Sequence, residues 1–276
     1  MRTVGRGGTM HPSNDKTIVD QRGNREHVRR LIVCRNLDEL AASGSALIAG
    51  FARETMQNRD RFTVALAGGA TPQKTYSALA ECGEAAGIDW SRTYFFFGDE
   101  RFVPLDDPRS NFAMVERTLL RRRPIARSHA LAIPTDRPNA AEAAAAYASQ
   151  LAEFFASPSS GPPPRLDLAI LGLGTDGHTA SLFPAAPALR EQQAWVTWSA
   201  PGTLPPPVER ITMTYPILNA ARQVLFLVAG DEKAIALRDA FQGDVPVERC
   251  PAAGIRPMEG SVTWLADEPA ARLLTR

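Results

Sequence analysis

Cysteine is scarce in this chain of 276 residues. Cys34, Cys82 and Cys250 are odd in number, widely spaced and without a C-x-x-C pair. That excludes a disulfide framework or a cysteine zinc cluster and leaves buried single thiols as the expected role. No apolar run approaches the roughly 18 residues that cross a bilayer. The arginine-bearing N-terminus also lacks the apolar core of a secretory signal. A soluble, reduced, cytoplasmic protein is therefore expected. Charge excess is missing too: 31 Lys and Arg against 30 Asp and Glu leave a net +1, which supplies no field for binding nucleic acid. There is no G-x-S-x-G elbow, no Walker-type Gly-Lys-Ser/Thr, no internal repeat and no long linker.

What is present is a globular composition, 44% hydrophobic, with 20 Gly and 22 Pro to punctuate it. Residues 1–28 are polar and aperiodic, and read as a flexible N-terminal arm ahead of one domain over 29–276. Structure is expected to begin with the short run Leu31–Cys34. Asn36 and Glu39 then suggest a capping box, followed by a helix of about five turns with Leu40, Gly44, Leu47, Phe51 and Ala52 on one stripe. Further apolar runs lie at Thr63–Ala67, Tyr94–Phe97, Leu166–Leu171, Val224–Val228 and Val262–Leu265. Ala140–Ala156, led by Asn139 and Glu142, is an expected helix. Continuous apolar strands alternating with helices predict an α/β fold: a single-domain, mostly parallel, Rossmann-like sheet with helices on both faces.

In such sheets ligands bind beyond the carboxyl ends of the strands, so the loops there carry the chemistry. The first is Gly68-Gly69-Ala70-Thr71-Pro72. Its glycines allow close backbone approach, and the following helix presents free N–H groups to an anion such as a phosphate. The second is Gly98-Asp99-Glu100-Arg101, whose charges suit acid–base work, a cation or a simple ion pair. The third runs from Leu171 to Pro184 and includes Gly172, Gly174, Asp176, Gly177 and His178. Its G-x-G-x-x-G spacing suggests a dinucleotide site, but Pro184 and Pro187 would cut short the helix that such a site needs. An Asp two residues before a His orients the imidazole for proton transfer instead. His11, His27 and His129 have no comparable setting.

Together and in this order, the loops resemble the 6-phosphogluconolactonase family, which shares its α/β fold with glucosamine-6-phosphate deaminases. The resemblance spans about Leu31–Leu274. It rests on GGATP at 68–72, FGDERFVP at 97–104 with Ser110-Asn111 after it, LGLGTDGHTASLFP at 171–184, RITMTYPILNAA at 210–221 and AGDEKAIAL at 229–237. The deaminase branch carries a glutamate where this chain has Phe183, so the resemblance favours the lactonase branch. It implies hydrolysis of 6-phospho-D-glucono-1,5-lactone without metal or organic cofactor. His178 would be the base, Asp176 its orienting partner, and backbone N–H groups of the glycine loops would be candidates to meet the oxyanion. It further implies that Gly69, Ala70 and Thr71, with Arg101, Arg210 and Lys233, hold the phosphate, and that Gly68 and Gly174 are substrate-binding residues. Asp99 and Glu100 would order Arg101 or touch sugar hydroxyls. The implied partner is a small phosphosugar lactone, not a nucleic acid or a membrane, with monomer and homodimer both open. An isomerase or deaminase of the same fold and a non-catalytic sugar-phosphate binder are the alternatives.

Overall fold

The computed structural model describes residues 15–22, 25–158, 161–201, 206–243 and 245–275. The chain opens with β1 (Asp15–Arg22) and β2 (Arg25–Cys34), an antiparallel pair. The strand that contains Leu31–Cys34 thus starts at Arg25, another strand precedes it, and part of the stretch expected as an arm is a hairpin; residues 1–14, 23 and 24 lie outside the described residues. Main-chain pairing builds these strands, so their polar sequence carries no apolar signal.

Helix α1 (Leu37–Asn58) follows, capped by Asn36, whose side chain accepts from the N–H groups of Asp38 and Glu39 at 3.0 Å each. The box is only half formed, because the Glu39 carboxylate turns to the N–H and Nε of Arg35. Its buried stripe is Leu40, Ala41, Gly44, Ser45, Ile48, Ala49 and Ala52, with Leu47 and Phe51 half-buried at the margin. Then come β3 (Phe62–Leu66), α2 (Ala70–Cys82), β4 (Thr93–Phe97), β5 (Asp99–Arg101), α3 (Asn111–Thr118) and α4 (Ala140–Phe155). The second half comprises β6 (Leu168–Gly172), β7 (Val196–Ser199), β8 (Arg210–Met213), α5 (Tyr215–Leu218), β9 (Gln223–Val228), α6 (Ala234–Phe241), β10 (Ser261–Asp267) and α7 (Glu268–Ala271).

The main sheet has seven strands in the order β1-β2-β10-β9-β6-β3-β4. Every pairing is parallel except β1 with β2. Helices flank it, and aromatic side chains fill its interior: the rings of Phe226 and Trp264 stack with centroids 3.7 Å apart. From β3 the chain moves outward to the edge strand β4, whereas from β6, the neighbour of β3, it moves the other way through β9 and β10. The loops after β3 and β6 therefore diverge, and a crevice opens between them. Among the described residues no helix is long and apolar enough to cross a membrane.

A second, antiparallel sheet, β5-β8-β7, has no counterpart in the sequence expectations. Its strands are three or four residues long, too short for a periodic signal. Gly98 joins the two sheets: its N–H donates to Leu66 O at 2.9 Å, and its carbonyl accepts from Met213 N at 2.8 Å. After β6 no α-helix forms before β7; only a 3₁₀ turn at Pro187–Arg190 interrupts the loop.

Candidate active site

The turn after β3 is held from behind. The hydroxyl of Tyr76, on α2, accepts from Ala67 N–H at 2.9 Å and donates to Ala67 O at 3.1 Å. Gly69 has φ +103°, a backbone suited to glycine. Gly68 is needed for a different reason: a Cβ there would sit 1.8 Å from Asn111 Oδ1. Ala67, Gly68 and Gly69 line a cleft of about 240 Å³. Ala70 and Thr71, expected at the phosphate, already lie within α2 and are not among the lining residues. At that end α2 offers the N–H groups of Ala70 and Thr71, since Pro72 has none and Gln73 N–H donates to Gly69 O at 3.0 Å.

Strand alternation separates the residues of the second loop, since successive side chains point to opposite faces. Asp99 and Arg101 face the cleft. Glu100 points away, is 1% exposed, and is not among the residues that line the cleft. Its carboxylate accepts from the N–H groups of Arg101 (2.7 Å), Asn111 (2.7 Å) and Phe112 (2.8 Å) and from the Ser110 hydroxyl (2.9 Å). It thereby anchors the start of α3, and burial pushes its carboxyl up against the pull of those donors. Asp99 accepts from the Ser181 hydroxyl at 2.7 Å and from Asn111 Nδ2 at 3.2 Å. Asn111 Oδ1 is buried without a partner while its residue lines the cleft. Asn111 is a lining residue of the cleft that neither charge nor spacing singles out in the sequence.

Pairing of β5 with β8 sets Arg101 directly opposite Arg210. Arg210 is 5% exposed and donates to the carbonyls of Val208 (3.2 Å) and Pro206 (3.0 Å). Burial lowers its pKa, Arg101 adds to that, and Asp99 and Glu100 oppose it. Lys233 reaches the same cleft from the loop after β9, where Gly230 adopts φ +101° and a 3₁₀ turn, Asp231–Lys233, leads into α6.

The third loop folds upon itself. Gly174 N–H donates to His178 O at 2.8 Å and Gly177 N–H to Gly174 O at 3.1 Å, so neither is free for an oxyanion. Gly177 has φ +83°, and a Cβ there would meet Cys250 Sγ at 2.9 Å. Asp176 Oδ1 lies 2.6 Å from His178 Nδ1 and accepts the His178 N–H at 3.1 Å. Burial alone would raise the Asp176 carboxyl, but the hydrogen bond and charge of His178 hold it below its ordinary value. An ionised carboxylate only accepts, so Nδ1 carries the proton and Nε2 remains to act. His178 lines the cleft; Asp176 sits behind it. A Cβ at Gly174 would fall 2.0 Å from His178 Nδ1 and 2.5 Å from Asp176 Oδ1, so only glycine leaves room for the pair. Ala180, also at the cleft, has φ +47° and is held between anchored neighbours: Thr179 donates to Gly172 O and Ser181 to Asp99. Phe183, 6% exposed, packs between His178 (ring centroids 4.7 Å apart) and the Arg210 guanidinium (5.9 Å).

The cleft thus brings Gly68, Gly69, Asp99, Arg101, Gly174, His178, Arg210 and Lys233 together from the ends of four strands and one partner strand. Three cations face a single carboxylate, a balance suited to an anionic ligand. Among the described residues no three His, Cys, Asp or Glu side chains are grouped as metal ligands. Two wider grooves, about 880 and 840 Å³, have no histidine in their walls.

Residues 35–264 match the family described as glucosamine-6-phosphate isomerases/6-phosphogluconolactonase. A 6-phosphogluconolactonase of Nostoc sp. is 39% identical over 220 residues, 80% of this chain and 88% of its own. The human 6-phosphogluconolactonase is 38% identical over 242 residues, 86% and 90% of the two chains. The solved 6-phosphogluconolactonase of Trypanosoma brucei has a TM-score of 0.78 at 32% identity, covering 89% of this chain and 98% of its own.

Proposed function

The chain belongs to the glucosamine-6-phosphate isomerase/6-phosphogluconolactonase family, and we propose that it hydrolyses 6-phospho-D-glucono-1,5-lactone to 6-phospho-D-gluconate, the second step of the oxidative pentose phosphate pathway. The observation that carries this reading is one cleft in which the oriented His178 meets Arg101, Arg210, Lys233 and the turn before α2. The phosphate lies among those cations and the first N–H groups of α2, where charge-assisted hydrogen bonds are strongest. His178 Nε2 takes a proton from water as the water oxygen bonds to C1. The carbonyl electrons move onto oxygen, and cationic side chains with the N–H groups of the Gly68-Gly69 turn stabilise that oxyanion. Collapse breaks the bond from C1 to the ring oxygen, which takes the proton back from the His178 imidazolium. The acid formed then ionises. The Asp99 carboxylate is an acceptor and belongs to the sugar hydroxyls, away from the phosphate.

Phe183 supports the lactonase reading over ring opening and deamination, because an apolar ring beside His178 cannot carry a proton. The setting we propose is the cytoplasm, in keeping with three free thiols. The test is hydrolysis of freshly made lactone, corrected for its spontaneous opening, by the unaltered chain and by His178→Ala. Equal rates would sink the mechanism. A binder without turnover would instead show phosphosugar affinity and no catalysis in either form.

A further inference from the structure

At the opposite end of the main sheet lies a second basic recess, of about 360 Å³, walled by Arg59, Arg61, Arg165 and Arg222 around Asp167 and Thr63. It stands where β3, β6 and β9 begin, so the body of the sheet separates it from the cleft at their carboxyl ends. Asp167, 2% exposed, is its floor. Oδ2 is taken by the Thr63 N–H (2.9 Å) and hydroxyl (2.7 Å). Toward Oδ1 converge Arg59 Nε at 3.2 Å and Arg222 Nε at 3.5 Å, yet neither Oδ1 nor Arg222 Nε completes a hydrogen bond, and both atoms are buried.

The surrounding charges do not balance. Arg165 is matched, donating to the Glu259 carboxylate (2.8 Å) and to the carbonyls of Glu259 (2.8 Å) and Ala220 (3.0 Å). Arg59 and Arg222 share the single Asp167 charge. The Arg61 guanidinium lies 4.4 Å from the Phe154 ring centroid and 5.7 Å from that of Phe155, a placement that orients it without neutralising it. Four guanidiniums thus face two carboxylates. Burial and the fields of Arg59 and Arg165 lower the pKa of Arg222 against the pull of Asp167 and Glu259. Like charges gathered in a concave site, with planar N–H forks left over, match a tetrahedral oxyanion. A phosphate group, of charge about −2 near neutral pH, equals the local excess.

We propose that Arg59, Arg61 and Arg222 form a second anion site, remote from the catalytic cleft, that binds a phosphate dianion, either inorganic or the head of a phosphate ester.

The full chain carrying Arg101→Ala and Lys233→Ala, which weakens phosphate binding at the cleft, is titrated with inorganic phosphate by calorimetry. One phosphate per chain is expected to bind, more weakly as salt is raised. Adding Arg61→Gln should weaken it about tenfold, the effect of losing one charge-assisted contact. Arg61 is the first choice because it holds ring contacts and no hydrogen bond among the described residues, so folding is spared. Arg59→Gln should act in the same direction. Glucose 6-phosphate, titrated in parallel, distinguishes the source: affinity that falls with Arg61→Gln assigns the site to esters, and absence of affinity assigns it to the free ion. No phosphate binding in the cleft-weakened chain, or binding indifferent to both arginine changes, would overturn the proposal.

Discussion

Arg101 and Arg210 are direct partners across the β5–β8 ladder, two guanidinium-bearing residues in register at the mouth of the cleft. Like charges set opposite one another in a sheet cost stability. An anion bound between them would offset that cost. Arg101→Ala or Lys233→Ala should raise KM for the phosphorylated lactone by roughly 10- to 100-fold, the worth of one or two charged hydrogen bonds. Turnover should change less, and hydrolysis of the unphosphorylated lactone should be insensitive. Steady-state rates on both lactones check this.

His178→Ala should lower kcat by about 10²- to 10⁴-fold, the usual contribution of a positioned acid–base group. Asp176→Asn keeps the shape but no longer fixes the proton on Nδ1; a fall of at least about tenfold is expected in kcat, with KM nearly unchanged.

The same pair predicts a pH effect on stability. The Asp176 pKa is held below its ordinary value in the folded chain. Its contribution is therefore full above about pH 4, where the unfolded carboxyl is already ionised, and is lost as pH falls through the lowered folded value. Denaturant midpoints of the unaltered chain and Asp176→Asn should differ by a constant amount at pH 6–7 and converge in acid.

Gly174→Ala introduces a Cβ at 2.0 Å from His178 Nδ1. The overlapped atoms are side-chain ends, so the pair separates while the fold survives. We expect kcat to fall by about 10²-fold, as for other misplacements near 1 Å, with an unchanged circular dichroism spectrum.

Glu100→Gln tests the assignment of a conspicuous carboxylate to structure. Replacing an oxygen that accepts from N–H and O–H groups with an NH₂ leaves donors facing a donor. A loss of roughly 1–3 kcal/mol is expected, read as a lowered denaturation midpoint, with KM of the folded enzyme little altered. Because burial raises the folded pKa of Glu100, ionising it costs stability as pH rises from the ordinary carboxylate range through that raised value. Glu100→Gln should abolish this slope.

Much of the fold was legible because continuous apolar runs such as Phe95-Phe96-Phe97 and Leu225-Phe226-Leu227 admit few environments other than the inside of a covered sheet. The β1–β2 hairpin and the β5-β8-β7 sheet were not legible. The hairpin's polar strands carry no apolar pattern, and the short strands of the second sheet owe their existence to main-chain partners distant in sequence, as Asp99 does to Thr212. Within the site, Asp176 and His178 could be paired on paper because only Gly177 lies between them. Asn111 could not be placed, since its value lies in an orphaned Oδ1 beside Gly68.

By itself, then, the sequence determined the α/β class, the glycine-rich loops at the strand ends and the pairing of Asp176 with His178, all of which depend on local composition and spacing. Tertiary structure decided which charges share a cleft. Asp99 and Glu100 are neighbours of one type, yet strand alternation sends one to the cleft and the other into the wall. Arg101, Arg210 and Lys233 meet only because β5 pairs with β8 and the loop after β9 opens at the same sheet end. Such long-range pairing depends on packing of the whole chain, and no local pattern encodes it.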